Sequence, residues 1–400
     1  MIHYFNPGHE TAVLNQSKYY MAPANVVSMQ KELAYLCAWY AKPEDYVLIE
    51  NELSEEFTHI ICRNNIDLPR PVTIQKISEN KELYTNQKIS LWGISPQAIH
   101  FFSTQKDEYQ LNWDIPEWDN TLVRLSNRQT AKECLAYIIA NNTNISPDIL
   151  PRFYLSLEEI ESEVNNSKVQ LLAKAPYSSS GRGLLWLPIG GLTRTERQIL
   201  HGHIKKQGSV SVENALDKKI DFAMEFRSDL GNIYFEGYSL FETNNKGAYL
   251  GNILLPQEKI RQKITQYIDA SLLEDVKELL SHFIQKHISP VYDGYIGVDM
   301  MVYQQNNEYK LQPCLEINVR NNMGIVALHL CRNFISEQSS GKFMIDFNPK
   351  DGALFHDHKL KNNEHPLSVN NGRIEKGYLS LCPVSVTSRY RAYIWIDNKM

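Results

Sequence analysis

Basic excess, paired cysteines and long apolar runs are all missing from this sequence, and each gap removes a class of function. Lysine and arginine total 41 against 46 acidic residues, a formal net charge of −5. Bulk charge therefore gives no reason to bind nucleic acid. The six cysteines are scattered and never form a Cys-x-x-Cys pair. That spacing argues against a disulfide frame or a zinc site and for reduced, buried thiols. No uninterrupted apolar run approaches the roughly 20 residues needed to cross a bilayer. The opening residues lack the basic and apolar blocks of a secretion signal, so a cytoplasmic protein with no membrane partner is expected. There is no internal repeat and no low-complexity segment. Neither G-x-x-x-x-G-K-[ST] nor G-x-G-x-x-G opening a helix occurs, which excludes the two commonest nucleotide fingerprints.

What is present is an ordinary globular composition in a chain of 400 residues, too long for one small core. Over residues 1–120, short apolar runs alternate with helix-like stretches. IHYF, YVLIE and THIIC read as buried strands, and VVSMQKELAYLCAWYA reads as an amphipathic helix. This alternation predicts an open α/β layer. From about residue 121 the texture changes to a mixed, largely antiparallel α+β region extending to about 335. A helix capped by Ser126 or Asn127 comes first. Strands follow near 169–176, 209–214, 221–228, 232–242, 294–303 and 308–319, with helices near 193–203 and 270–287. Residues 336–400 turn polar and finish in two strand-like runs, GYLSLC and RYRAYIWI.

The chemistry concentrates in two places. In VQLLAKAPYSSSGRG a strand carries Lys174 among apolar neighbours and runs into Ser178, Ser179, Ser180, Gly181, Arg182 and Gly183. Small residues let successive backbone N–H groups converge, and such a concavity binds anions. Lys174 at its base and Arg182 within it add positive charge. In GYIGVDMMVYQQNNEYKLQPCLEINVRNNMG two strand-like runs flank a polar turn. Glu316 and Asn318, two apart, share a face, and Arg320 continues it. A symmetric turn near Asn306 would set Asp299 opposite about residue 313. Bringing Asp299 to Glu316 therefore requires an asymmetric loop or a bulge, and Pro313 is a natural place for a bulge. Two carboxylates and an amide oxygen are donors that Mg²⁺ accepts.

Together these stretches resemble the ATP-grasp superfamily over roughly Leu122 to Leu330, with Leu-Glu-Ile-Asn-Val-Arg the most specific part. The resemblance implies an ATP-grasp fold preceded by a smaller α/β domain. It makes the serine-glycine tract a loop over the β- and γ-phosphates, with Lys174 on the α- and β-phosphates. Arg128 stands where many members carry lysine. Glu213, Asn214, Ala215 and Leu216 become the hinge that meets adenine, and Asp221 lies near the ribose. Asp299, Glu316 and Asn318 become ligands of Mg²⁺, or Mn²⁺. The implied activity is ATP-dependent joining of a small-molecule or peptide carboxylate to an amine or thiol through an acyl-phosphate, with Lys174 and Arg320 catalytic. A phosphotransferase and a nucleotide-binding protein without chemistry are the alternatives, and neither substrate nor oligomeric state is legible. Asn6 and Glu10, at a strand's carboxyl end, and Lys246 and Tyr249, in a polar loop, are lesser candidates. His356-Asp357-His358 has the wrong spacing for helical metal ligands.

Overall fold

A computed structural model describes residues 1–178, 181 and 183–397. The chain forms two compact units, one from Met1–Trp118, Leu250–Lys259 and Arg320–Met400, the other from Asp119–Tyr249 and Ile260–Val319.

The chain begins with β1 (Ile2–Tyr4), β2 (Tyr46–Leu48), β3 (Arg70–Val72) and β4 (Ile89–Leu91), which pair in parallel in the order β3-β2-β1-β4. Ile2, Leu48, Val72, Ile89, Phe102 and Trp113 fill the core of this open α/β layer. Two expectations for this region are corrected. THIIC is not a strand but part of the helix Glu55–Arg63. Ser54 caps that helix through its bond from the Phe57 N–H, Glu55 and Glu56 sit in its first turn, and Phe57 and Ile61 form its buried face. A short apolar run fits either period, and here the cap and the first-turn acids decided. The long amphipathic helix is divided into Ala24–Glu32, which buries no residue, and a 3₁₀ turn Ala34–Trp39, all of which is buried. The second half is apolar on every side and packs as core rather than as one face.

The second unit opens with the short helix Thr121–Leu125 and the helix Arg128–Asn141, the latter capped by the Asn127 side chain. Next come β5 (Arg152–Tyr154), β6 (Leu171–Lys174), β7 (Leu184–Leu187) and β8 (Val210–Asn214), an antiparallel sheet of order β5-β8-β6-β7. Helices Leu157–Asn166 and Arg194–Gln207, both started by capping boxes, pack their apolar faces on it. β9 (Asp217–Asp229) and β10 (Asn232–Thr243) form a long hairpin, and β11 (Tyr249–Leu254) carries the chain out of the unit. β12 (Gly294–Gln305) and β13 (Glu308–Asn318) then complete an antiparallel run β13-β12-β9-β10. In the first unit β14 (Ser340–Phe347), β15 (Ser368–Asn370), β16 (Arg373–Ser380) and β17 (Tyr390–Asp397) join in the order β11-β14-β17-β16-β15. All six cysteines are free thiols. Among the described residues no helix is long and apolar enough to cross a membrane.

Candidate nucleotide and metal site

β6 is flanked by β8 and β7, so Lys174 is not at a solvated sheet edge. Its side chain is only 7% exposed and reaches Glu213 on β8, with Nζ to Oε1 at 2.5 Å. The strand then turns through the small-residue tract. The Ala175 N–H donates to Gly183 O at 2.9 Å, and the Leu184 N–H to Gly181 O. Gly181 has φ +75, and a Cβ there would lie 2.4 Å from Gly247 O. Both facts demand glycine: the backbone is left-handed and another main chain lies against it. Ser179, Ser180 and Arg182 lie outside the described residues.

Arg128 is the first residue of its helix and is nearly buried. Its N–H donates to Pro176 O at 3.1 Å, its Nε to Ala175 O at 3.2 Å and its Nη2 to Ser178 Oγ at 3.4 Å. The same Nη2 lies 2.9 Å from Glu316 Oε2 on β13. One guanidinium thus touches the base of the loop and a carboxylate far along the chain, as the rigid fan of five donors permits.

The register of the β12–β13 hairpin sets the rest. Asn306 and Asn307 both have positive φ and form a two-residue turn between Gln305 and Glu308. Pairing is regular as far as Met301–Gln312 and resumes at Asp299–Glu316. Residues 313–315 therefore oppose Met300 alone, and this bulge, containing Pro313, brings Asp299 level with Glu316. Asn318 is opposite Gly297 and donates from Nδ2 to Asp299 Oδ2 at 3.3 Å. Two carboxylates and one amide oxygen suit a hard cation that keeps phosphate and water in its shell, as Mg²⁺ does. Among the described residues no group of three or more His, Cys, Asp and Glu side chains could hold a metal.

Directly opposed residues share a face of the sheet. Through the pairs Asp299–Ala223, Gly297–Glu225 and Met301–Asp221, that face carries Asp221, Glu225, Asp299, Glu316 and Asn318. Asp221 is buried and held by Lys218 and by the Thr243 hydroxyl at 2.7 Å. Glu225 is only 1% exposed and accepts from Ser239 Oγ at 2.8 Å. The sequence reading missed it. Its signal was the one that marked Lys174, a charge alternating with Phe222, Met224 and Phe226. In the hinge, Glu213 and Asn214 end β8. The Ala215 N–H is taken by Gln170 O, Asn214 Nδ2 donates to Asp148 O, and Leu216 leads into β9.

Arg320 belongs to the first unit, where its Nε lies 2.6 Å from Glu10 Oε1 and its Nη1 donates to Asn321 O. Burial acts to raise the Glu10 pKa, but the charges of Arg320 and His9 outweigh it and hold the carboxyl below its ordinary value. Asn6 exchanges both amide bonds with the backbone of Gly93. Lys246 is exposed in the turn Asn244–Ala248, and Tyr249 starts β11. His358 donates to or accepts from the Tyr378 hydroxyl at 2.8 Å in the helix Ala353–Glu364, and Asp357 is paired with Lys361 and Arg391. Asp357 and His358 are thus engaged in contacts of the fold, while His356 is exposed.

No family model and no curated protein matches the sequence. Solved structures do. The biotin carboxylase–β,γ-ATP complex from Campylobacter jejuni superposes with a TM-score of 0.51 at 11% identity, covering 100% of this chain and 88% of that one. N5-carboxyaminoimidazole synthetase from Staphylococcus aureus complexed with ADP gives 0.48 at 12% identity, over 100% and 93%. The biotin carboxylase domain of Hydrogenobacter thermophilus 2-oxoglutarate carboxylase, with MgADP and bicarbonate, gives 0.47 at 11%, over 98% and 86%. A small parallel sheet ahead of antiparallel sheets defines an α/β plus α+β class. Its particular form is the ATP-grasp fold with a preceding α/β domain.

Proposed function

We propose that the protein is an ATP- and Mg²⁺-dependent ligase that activates a carboxylate as an acyl-phosphate and joins it to an amine or thiol. One observation carries this reading: Arg128 bonds the base of the small-residue loop and Glu316 at once, while Asp299 stands opposite Glu316. Cationic cradle and oxygen donors are thus in contact within one unit. The C. jejuni biotin carboxylase, a complex with β,γ-ATP, supports a nucleotide in a fold of this kind.

Lys174 and Arg128 would hold phosphate oxygens, and Asp299, Glu316 and Asn318 would hold Mg²⁺. Bound there, Mg²⁺ offsets phosphate charge during transfer. A substrate carboxylate oxygen forms the new bond to the γ-phosphorus as the bond to ADP breaks. An amine nitrogen or a thiol sulfur then attacks the acyl carbon, phosphate departs, and the nucleophile loses a proton. The loop at 178–183 would exclude water from the acyl-phosphate.

The test is phosphate release from Mg·ATP in the presence of a fractionated metabolite extract, with products identified by mass. Wild type is expected to consume ATP and yield an amide or thioester. Glu316→Gln and Lys174→Ala are expected to lose at least about a hundredfold in rate while keeping the wild-type circular dichroism. Retained ligation by folded Glu316→Gln contradicts the assignment.

A further inference from the structure

Both cations brought to the site are already paired with carboxylates, Lys174 with Glu213 and Arg128 with Glu316. The second pair has a consequence the first lacks, because Glu316 is one of the oxygen donors assigned to the metal. The Arg128 side chain is 8% exposed and that of Glu316 22%, so solvent screens the pair weakly. Ala175 O and Ser178 Oγ hold the guanidinium on the loop side. A dication approaching Glu316 meets a fixed positive charge 2.9 Å from the oxygen it needs. A phosphate group offers that guanidinium a bidentate partner, the stronger arrangement for a planar fork.

We propose that Arg128 is a counter-ion switch. Without nucleotide it neutralises Glu316 and keeps divalent-cation affinity low; bound phosphate takes the guanidinium over and leaves Glu316 to the metal. The metal therefore enters with or after the nucleotide, and the loop base, tied to the same guanidinium, senses the exchange. The inference rests on the nucleotide site proposed above and adds an order of binding to it.

Mn²⁺ serves as the probe, with free ion measured by electron paramagnetic resonance in the full-length protein, with and without ADP. Wild type should bind Mn²⁺ weakly alone and tightly with ADP. Arg128→Met removes the charge but keeps apolar bulk, and its nucleotide-free Mn²⁺ affinity should rise roughly ten- to a hundredfold, the worth of one charged hydrogen bond. Arg128→Lys keeps the charge and should stay near wild type. Arg128→Gln takes the place of the methionine variant if circular dichroism shows the latter unfolded. Nucleotide-free affinity in the folded, neutral variant equal to or below that of wild type overturns the switch. Wild type that binds Mn²⁺ with ADP, beside an unchanged neutral variant, overturns the switch alone. Wild type that binds neither ADP nor Mn²⁺ together overturns the nucleotide site and the switch with it.

Discussion

His9 and His358 carry their rings into the interior, and burial lowers the pKa of each to about 4. An unfolded histidine titrates near 6.5. Between those values the unfolded chain binds more protons than the folded one, so stability rises with pH and is lost as pH falls from about 6.5 towards 4. A displacement of that size corresponds to roughly 3 kcal/mol per histidine. His358→Gln should cost about 1–2 kcal/mol at pH 8 by removing the Tyr378 bond. It should also make the acid limb shallower. Urea unfolding from pH 4.5 to 8 measures both effects, and an unchanged acid slope would show that His358 does not enter the interior neutral. Glu10 adds to acid sensitivity at lower pH, because its carboxyl is held below the ordinary range and its contribution is lost as it protonates.

Among the elements, the β12–β13 hairpin decides whether the oxygen donors meet. Its turn requires positive φ at Asn306 and Asn307, which asparagine tolerates and branched residues resist. Asn307→Val should destabilise the second unit by about 1–2 kcal/mol, and Asn307→Gly should stabilise it by roughly 0.5 kcal/mol. Shifts in the urea midpoint at constant slope test both. The same hairpin shows how far the sequence could be read. Alternation in Leu-Glu-Ile-Asn placed Glu316 and Asn318 on one face, and counting from the turn showed that Asp299 could join them only through an asymmetric loop or a bulge; the symmetric turn leaves the bulge. The three-against-one form of that bulge was not legible, since alternation does not say how many residues a strand loops out. β6, β8, β9, β10, β12 and β13 were legible to within a few residues because their apolar residues alternate, whereas the short β5 and β7 were missed. THIIC was misread because five apolar-rich residues fit either period, and Glu225 was missed because one acid in a long strand reads as an exposed position. The Arg128 contacts could not be foreseen, as they join residues 47 and 50 positions apart, and Glu316 beyond them.

At the scale of the molecule, the first unit is threaded from three pieces of chain, and its last piece fixes its first. The Trp39 indole N–H, fully buried, donates to Leu381 O at 2.7 Å, and the Asn321 N–H donates to Trp92 O at the end of β4. β16, β17 and the connection between them bury Leu379, Leu381, Tyr390, Tyr393, Ile394 and Ile396. At about 1.5–3 kcal/mol per buried side chain, these six contribute on the order of 10 kcal/mol or more, comparable to the whole stability of a typical domain. A chain ending after residue 335 would also leave the Trp39 donor without its acceptor. Such a chain should therefore fail to form the parallel sheet natively, although all four of its strands are present. The expected readout is rapid proteolysis within residues 1–118 and loss of the blue-shifted tryptophan emission. A truncated protein that keeps wild-type emission and protease resistance there would show that β1–β4 fold without the C-terminal strands.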